Sequence, residues 1–522
     1  MSDPIADYVA RPFGTFAELV ELQAEARPNN DAIVCEGEKI TYGALNALAD
    51  RVAAALQRDG VEPRGVTAIC ASPSIKYAAL FIGTLRAGAA ISPLAPSATP
   101  EQLSAMLADN GASHIFVDAE VARQLAPIRD RIAARWIALE DGSGGESFDE
   151  WLEPEDAQPA AVTVAPDQAF NIIYSSGTTG MPKGIVQPYA MRWNHVGRGG
   201  GYGPGSVTMI STGLYSNTTL VVFLPALATG GTVVLMPKFD ARRFLELSER
   251  YRANYSMLVP VQYRRILDVP DFDRFDLSSY IMKFATSAPF AAELKAEVLN
   301  RWPGGLIEWY GMTEGGGSCP LIAHEHVDKL HTVGKPMDGH DIRVIDAQGN
   351  TAKPGEVGEV VGRSSAMMSG YHNRPDKTAE AEWYSPDGVR FIRTGDLASV
   401  DEDGFFTLIG RVKDMIISGG FNIYPVDLEE ALLQHPAVRE TAVIGTPSRE
   451  WGETPVGFVT LRAGERVTAD ELRIFANKRL GKTQRLKEVC VVHELPRSAI
   501  GKILKRELVD RHHPLRGAAA AF

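Results

Sequence analysis

The chain has 522 residues, which is enough for two to four folding units of about 100–200 residues each. Hydrophobic residues make up 45% and charged residues 23%, which is typical of a globular protein. Its 53 basic and 65 acidic residues give a net charge of −12, which argues against nucleic acid or an anionic membrane as a partner.

The four cysteines are far apart in the sequence and form no CxxC pair: Cys35, Cys70, Cys319 and Cys490. This spacing predicts neither a disulfide framework nor a zinc site, and it fits a reducing, cytoplasmic compartment. The N-terminus lacks a basic segment followed by an apolar stretch, so no secretory signal is expected.

Helix and strand patterns alternate in the first half of the chain. Thr15 and Glu18 form a capping-box pattern before an apolar helix, and a second helix is predicted after Thr41. Short apolar runs at residues 66–70, 89–93 and 169–174 are typical of buried strands. This alternation predicts mostly parallel sheet covered by helices.

Residues 220–237 are the most apolar segment of the chain. Pro225, Gly230 and Gly231 interrupt it, whereas a membrane span needs about 20 continuous apolar residues. We therefore predict two short buried strands around a glycine turn and no integral membrane segment.

The pattern changes after about residue 410. Strands are predicted at residues 438–445, 456–461 and 489–494, and helices at 425–434 and 469–480. The predicted fold is α/β: a large N-terminal domain of mixed, mostly parallel sheets with helices, residues 1–411, and a small α+β C-terminal domain, residues 412–522.

The strongest chemical signal is the segment YSSGTTGMPKG at residues 174–184. Its glycines allow backbone N–H groups to turn toward phosphate, and its hydroxyls and Lys183 add donors and a positive charge. A Walker A loop needs glycine before the lysine and Ser or Thr after it. Pro182 and Gly184 occupy these places, so an ordinary P-loop kinase or ATPase is disfavoured.

Three further segments carry charged residues beside glycines. Glu314, in WYGMTEGGG, is a candidate magnesium ligand, because Mg²⁺ on nucleotide phosphates takes one or two carboxylates. Asp396 follows Gly395 and could accept ribose hydroxyls, while Arg411 could hold a phosphate or ribose oxygen. Lys502 ends a small-residue loop and could bring a positive charge to a reacting phosphate.

Together, in this order and spacing, these segments resemble the adenylate-forming superfamily of acyl-CoA synthetases, luciferases and peptide-synthetase adenylation domains. The resemblance covers about residues 15–510. It implies that a carboxylic acid reacts with ATP to form an acyl adenylate, and that the acyl group then passes to a thiol, that of coenzyme A. It also implies a mobile C-terminal domain that rotates between the two reactions.

The resemblance assigns roles to individual residues. The loop of Ser175, Ser176, Gly177, Thr178, Thr179, Gly180 and Lys183 would hold the β- and γ-phosphates of ATP. Tyr310 belongs to the nucleotide site, Thr313 and Glu314 would contact the α-phosphate and Mg²⁺, and Asp396 with Arg411 would bind the ribose. Lys502 would bridge the carboxylate and the α-phosphate. Lys413 would be the hinge, and Gly419, Gly420 and Phe421 would line the thiol tunnel.

The acid is less well determined. Many relatives carry an aromatic-then-His pair where this chain has Leu214 and Tyr215. The expected acyl pocket contains Tyr215, Ala288, Gly315 and Gly316, which are mainly small and uncharged and suit an aryl, cyclic or medium-chain acid.

Three alternatives remain open: a stand-alone enzyme that loads a carrier protein, a luciferase-like oxidative enzyme, and a non-catalytic nucleotide-binding regulator. Intact Lys502, Glu314 and Asp396 argue against the regulator. The small-residue loop before Lys502 also makes a lysine acetyltransferase a candidate partner, because acetylation would remove the charge.

Overall fold

The computed structural model describes residues 3–140, 145–174, 182–196, 201–418, 421–481, 484–498 and 501–512, together with the backbone of residues 513–519. The chain forms two compact units, Met1–Ile342 with Gly362–Ile392, and Arg343–Val361 with Arg393–Phe522. The predicted domain boundary between residues 411 and 412 stays a prediction.

The strands of the two units follow one another along the chain. They are β1 (Asp31–Cys35), β2 (Glu38–Thr41), β3 (Val66–Cys70), β4 (Ala90–Pro93), β5 (His114–Val117), β6 (Arg135–Ala138), β7 (Glu146–Ser147), β8 (Ala169–Tyr174), β9 (Gly184–Pro188), β10 (Val207–Ile210), β11 (Thr232–Leu235), β12 (Tyr255–Leu258), β13 (Met282–Thr286), β14 (Gly305–Gly311), β15 (Ser318–Ile322), β16 (Asp341–Ile345), β17 (Gly358–Arg363), β18 (Gly370–Tyr371), β19 (Glu382–Tyr384), β20 (Arg390–Val400), β21 (Phe406–Arg411), β22 (Ile416–Ser418), β23 (Phe421–Ile423), β24 (Val438–Ser448), β25 (Gly452–Leu461) and β26 (Glu488–Val491).

The helices lie mainly between these strands. They are α1 (Pro4–Val9), α2 (Phe16–Ala26), α3 (Tyr42–Arg58), α4 (Ile75–Arg86), α5 (Pro100–Asn110), α6 (Ala119–Leu125), α7 (Phe148–Trp151), α8 (Tyr189–Val196), α9 (Asn217–Ala228), α10 (Ala241–Arg250), α11 (Pro260–Leu267), α12 (Ala292–Arg301), α13 (Pro375–Glu380), α14 (Pro425–Leu433), α15 (Ala469–Asn477) and α16 (Lys505–Ala519).

Two eight-stranded sheets dominate the first unit. One has the order β15-β14-β13-β12-β10-β11-β1-β2 and is parallel except at its two outer pairs. The other has the order β18-β9-β8-β4-β3-β5-β6-β7 and is parallel from β8 to β7. The main core cluster contains residues of both sheets and of α2, α3, α4 and α9. The predicted mostly parallel architecture is confirmed.

The predicted helix starts are confirmed by their caps. The Thr15 hydroxyl accepts the backbone N–H of Glu18 at 3.2 Å, and the Thr41 hydroxyl accepts that of Ala44 at 3.3 Å. Each cap satisfies a backbone donor that has no partner within its own helix, so these two starts are specified locally.

The prediction for residues 220–237 is wrong in its first half. Residues 217–228 form the helix α9, which is buried on nearly all sides, and only β11 is a strand. A helix that is apolar on all sides shows no 3.6-residue alternation of apolar and polar residues. A short apolar segment of this kind is therefore as compatible with a buried strand as with a buried helix.

The second unit contains a smaller sheet of order β23-β22-β25-β24, with β26 parallel to β25. The helices α14 and α15 and the strands β24, β25 and β26 lie where the sequence predicts them, with ends shifted by a few residues. A further sheet of β16, β17, β20 and β19, in which β21 pairs with β20, occupies residues 341–411.

Among the described residues, none of the helices has the length and apolar character needed to cross a membrane.

Candidate active site

The predicted phosphate loop joins the ends of two adjacent strands. β8 ends at Tyr174 and the antiparallel strand β9 begins at Gly184, which lies opposite Tyr174 in the sheet. The Tyr174 hydroxyl donates to Asp109 Oδ2 at 2.6 Å, which ties the start of the loop to α5. Ser175, Ser176, Gly177, Thr178, Thr179 and Gly180 lie outside the described residues. Lys183 is described, and its Nζ lies 4.1 Å from the centre of the Tyr371 ring.

Tyr371 links Lys183 to Glu314. It lies in β18, which pairs with β9, and its hydroxyl donates to Glu314 Oε1 at 2.8 Å. Burial is the main cause that holds the pKa of Tyr371 well above its ordinary value, and the nearby Glu314 carboxylate is the second. The hydroxyl therefore keeps its proton and remains a hydrogen-bond donor. The structure thus brings together a cation and a carboxylate that are 131 residues apart in the numbering.

The residue before Glu314 is held through its backbone. The Thr313 carbonyl accepts a hydrogen bond from Gln187 Nε2 at 2.6 Å. Tyr310 lies in β14 and is half-buried. Both residues therefore lie on the same strand-and-turn segment as Glu314.

The glycines after Glu314 have backbone conformations that favour glycine. Gly315 and Gly316 have φ of 83° and 85°. A Cβ on Gly315 would lie 2.1 Å from the Ala366 carbonyl oxygen, and one on Gly316 would lie 2.9 Å from that of Gly362. Neither position has room for a side chain, so any part that they take in the predicted acyl pocket comes through their backbone.

The other predicted pocket residues follow strand ends of the first unit. Tyr215 precedes α9, and its ring covers Gly213, where an added Cβ would lie 2.1 Å from Tyr215 Cε1. Burial raises the pKa of Tyr215, so its hydroxyl is neutral. Ala288 follows Ser287, which has a φ of 79° and whose hydroxyl is hydrogen-bonded to that of Thr218. A non-glycine residue at positive φ is strained, and such strain is concentrated at binding sites.

In the second unit, Asp396 and Arg411 face each other on β20 and β21, and Arg411 Nε lies 2.9 Å from Asp396 Oδ1. The Thr394 hydroxyl accepts the backbone N–H of Asp396 at 3.0 Å and donates to the Val360 carbonyl at 2.9 Å. The Asp396 side chain is 16% exposed and that of Arg411 is 45% exposed. The carboxylate is therefore held by a rigid strand pair.

Lys502 is exposed beside a tight turn. The Ser498 N–H donates to the Lys502 carbonyl at 2.8 Å, and the Lys502 N–H donates to the Ser498 hydroxyl at 3.2 Å. Arg497 and Ile503 form an antiparallel bridge, so the backbone is fixed on both sides of the turn, while Lys502 as a residue is exposed.

The predicted hinge and tunnel residues lie at the start of the second unit's small sheet. Lys413 is exposed in a single 3₁₀ turn, Val412–Asp414. Phe421 begins β23 and is 57% exposed, which is unusual for so large an apolar side chain. Gly419 and Gly420 lie outside the described residues.

Comparison with known proteins decides the family. The profile described as AMP-binding enzyme matches residues 20–372, and the AMP-binding enzyme C-terminal domain matches residues 427–502. The chain belongs to the AMP-binding enzyme family.

Feruloyl-CoA synthase of Amycolatopsis sp is 33% identical over 506 residues, which cover 94% of this chain and 97% of that protein. Indoleacetate–CoA ligase of Aromatoleum aromaticum is 32% identical over 514 residues, covering 95% and 98%. Among solved structures, ATP-bound MatB from Rhodopseudomonas palustris superposes with a TM-score of 0.84 at 28% identity, covering 95% of this chain and 99% of that one.

Membership of the family establishes the class of reaction. The chain is an AMP-forming acid–thiol ligase. ATP, Mg²⁺ and coenzyme A are the reactants and metal of this class. A non-catalytic regulator is therefore no longer among the alternatives.

The Glu314 region fits a magnesium nucleotide. Mg²⁺ takes one or two carboxylates together with phosphate oxygens and water. The structure provides one half-buried carboxylate, orients it through a protonated tyrosine, and places a lysine against the same ring. A magnesium-bound polyphosphate needs a carboxylate for the metal ion and a positive side chain for its phosphate oxygens, and Glu314 and Lys183 would supply these two groups.

A buried polar network that the sequence did not predict contacts the backbone of this region at Thr313. Arg192 in α8 donates through Nε to Asn171 Oδ1 at 3.0 Å and through Nη2 to Gln187 Oε1. Asn171 Nδ2 also donates to Gln187 Oε1, at 2.9 Å. Because Oε1 receives two donors, the Gln187 amide has to present its Nε2 to the Thr313 carbonyl.

The network contains a buried cation without a carboxylate partner in the described part of the chain. Arg192 is 1% exposed, and burial lowers its pKa to about 9. His195 lies one helical turn after Arg192. Its burial, and to a smaller extent the charge of Arg192, lower the pKa of His195 to about 3, so this imidazole is neutral at physiological pH. A sequence signal existed: Asn171 and Gln187 are single polar residues in the otherwise apolar strands AFNIIY and GIVQP.

Proposed function

We propose that this ligase activates an aryl, cyclic or medium-chain carboxylic acid as its acyl adenylate and transfers the acyl group to coenzyme A. The observation that supports the proposal is the small and uncharged character of the residues predicted to line the pocket, which are Ala288, Gly315 and Gly316 together with Tyr215, whose hydroxyl is neutral. Similarity over 94% or more of the chain to a feruloyl-CoA synthase and an indoleacetate–CoA ligase supports the aryl class.

In the first half-reaction, the acid carboxylate attacks the α-phosphorus of ATP and pyrophosphate leaves. Catalysis of such transfers consists mostly of positioning and charge stabilisation. Lys183 would hold phosphate oxygens, Glu314 would hold the magnesium ion that neutralises phosphate charge, and Asp396 would bind the ribose. Lys502 would offset the charge that develops between the carboxylate and the α-phosphate.

In the second half-reaction, the thiol attacks the carbonyl carbon of the adenylate, the thioester bond forms and AMP leaves. Lys502 has no role in this step, so it has to withdraw and be replaced by the segment of Gly419, Gly420 and Phe421. A turn at Lys413 would provide the rotation, as hinges usually lie in a few residues at element ends.

The test is pyrophosphate release across a panel of acids, with and without coenzyme A. We expect release with aryl acids such as substituted cinnamates and arylacetates, and thioester only when coenzyme A is present. Release with acetate alone, or with none of the panel, would overturn the substrate proposal.

Transfer to a carrier protein is the second candidate. It is favoured by similarity to a fatty acid–[acyl-carrier-protein] ligase of Streptomyces coeruleorubidus, 31% identical over 513 residues. Replacing coenzyme A by a phosphopantetheinylated carrier protein in the same assay distinguishes the two, because a carrier-specific enzyme forms no thioester with coenzyme A.

We also propose that a lysine acetyltransferase can switch the enzyme off at Lys502. The exposure of Lys502 beside its tight turn supports access by a second protein. Acetylation removes the positive charge that the first half-reaction would need. Treatment with an acetyltransferase and acetyl-CoA, followed by mass spectrometry and the pyrophosphate assay, tests this; acetylated Lys502 with full activity would contradict it.

A further inference from the structure

The C-terminal helix of the second unit packs on the outer strands of the small sheet. Leu508 of α16 is buried in a cluster with Ala442, Ile444, Val456, Phe458 and Leu495, and Cys490 packs against this cluster. His512 follows Leu508 by four residues and therefore lies on the same face of α16. The helix thus carries a histidine to the surface of β26.

Three metal-binding side chains meet there. Glu488 and Cys490 are two residues apart on β26 and point to the same side of the strand. Cys490 Sγ lies 3.7 Å from Glu488 Oε1, and His512 Nε2 lies 3.8 Å from Glu488 Oε2. The carboxylate, thiol and imidazole donor atoms all lie within 4.8 Å of one another.

His512 supplies a second and independent observation. It is 4% exposed, and its ring meets Phe458 edge-on at 5.9 Å. Neither ring nitrogen has a hydrogen-bond partner in the described part of the chain, and the 3.8 Å to Glu488 is longer than a hydrogen bond. A buried imidazole with both nitrogens unsatisfied is unfavourable, so such a group calls for a ligand.

We propose that Glu488, Cys490 and His512 bind a zinc ion, with water in the fourth position. Zinc takes sulfur, nitrogen and oxygen ligands at about 2.0–2.3 Å in tetrahedral geometry, which places the donors about 3.4–3.6 Å apart. The observed 3.7 and 3.8 Å are measured to the two different oxygens of Glu488, and all three donor atoms lie within 4.8 Å of one another, so the ligands have to move together by up to about 1 Å on binding. Thiol and imidazole ligands disfavour Mg²⁺ and Ca²⁺. On binding, the thiol proton is released to solvent, because the thiolate is the ligand.

The position of this site gives it a structural consequence. The ion joins β26 to α16, and the chain between Cys490 and His512 carries the turn of Lys502. Fixing both ends of that segment reduces its conformational freedom, since closing a loop lowers the entropy of the open state. The ion would hold the Lys502 turn to the sheet without itself entering the ligase reaction.

The sequence spacing did not predict this site. Only two of the three ligands are neighbours in sequence, and the third is 22 residues beyond Cys490 on another element. Spacing arguments recognise ligands that share one turn or loop, whereas these ligands meet only when α16 docks on the sheet.

The test uses the untagged full chain after chelation and dialysis, titrated by calorimetry with Zn²⁺ and, separately, with Mg²⁺. We expect one Zn²⁺ bound per chain, no Mg²⁺ bound at this site, and a melting temperature raised by several degrees in excess Zn²⁺. Glu488→Gln, Cys490→Ser and His512→Gln should each weaken Zn²⁺ binding at least about tenfold. His493→Gln removes an exposed histidine of the same segment and should leave binding unchanged.

A second measurement covers the case in which His512→Gln does not fold. Co²⁺ bound to the wild-type chain should show ultraviolet charge-transfer absorption from the thiolate, and Cys490→Ser, whose side chain is only partly buried, should lose it. Absence of stoichiometric Zn²⁺, or Co²⁺ spectra that are identical in wild type and Cys490→Ser, would overturn the zinc proposal.

Discussion

The two groups of predicted catalytic residues are built in different ways. In the first unit, Glu314 and Lys183 are joined through Tyr371, and the Gln187 and Arg192 network holds the neighbouring backbone from behind. In the second unit, Lys502, Lys413 and Phe421 are exposed on turns and strand ends.

This difference matches the tasks proposed for the two groups. A metal and phosphate site needs fixed charges, because preorganised groups do not have to reorganise during the reaction. A group that serves only one half-reaction has to approach and leave, and exposed residues on turns can do so without breaking core contacts. The comparison predicts that substitutions at the fixed residues of the first unit affect both half-reactions and that those at the exposed Lys502, Lys413 and Phe421 of the second unit separate them.

The largest effect is expected from Lys502→Ala. Adenylate formation should fall roughly 10²–10³-fold, the loss typical of one positioned charge, while thioester formation from supplied acyl adenylate stays largely intact. Single-turnover assays of each half-reaction measure this. Lys353→Ala, at an exposed lysine of the same unit, is the matched control and should change neither. An equal loss in both half-reactions would contradict the proposed role.

The next effect is expected from Lys413→Pro. Proline fixes φ near −65°, a value that suits the observed 3₁₀ turn and prevents rotation to a different one. Thioester formation should therefore fall at least about tenfold more than adenylation. Lys413→Ala keeps the backbone free and serves as the control. Overall turnover at the wild-type rate would show that the hinge lies elsewhere.

Arg192→Leu tests the rigid group. The change removes one donor from Gln187 Oε1 and allows the amide to turn away from the Thr313 carbonyl, so kcat/KM should fall roughly tenfold, equivalent to about 1–1.5 kcal/mol. Both half-reactions should be affected. Gln187→Leu should cause a similar loss, and the double variant should add little, because both act on one network. Additive losses would mean that Arg192 does not act through Gln187.

Tyr371→Phe should have the smallest effect. It removes the hydrogen bond to Glu314 and keeps the ring beside Lys183, so the Mg²⁺ concentration for half-maximal adenylation should rise roughly fivefold. The control is Tyr384→Phe, at an exposed tyrosine that donates to Glu382 at 3.0 Å. If both variants behave alike, Tyr371 does not orient the metal ligand.

Much of the fold follows from local pattern. The caps at Thr15 and Thr41, the strands β3, β8 and β24, and the helices α14 and α15 lie where apolar periodicity and capping residues predict them. The helix α9 was missed because a segment that is buried on all sides carries no period. The candidate site residues were predicted from glycine-rich and charged motifs, because such motifs indicate phosphate and metal binding from the residue types alone.

Other features depend on contacts between residues that are distant in sequence. Gln187 and Thr313 are 126 residues apart, Glu314 and Tyr371 are 57 apart, and His512 meets Glu488 only through the docking of α16. The sequence by itself determined most of the helices and strands, with α9 as the exception, because capping and apolar periodicity depend on neighbours along the chain. The tertiary structure alone decided which carboxylate receives a hydrogen bond, which arginine is buried and which three ligands converge, because packing brings those groups together.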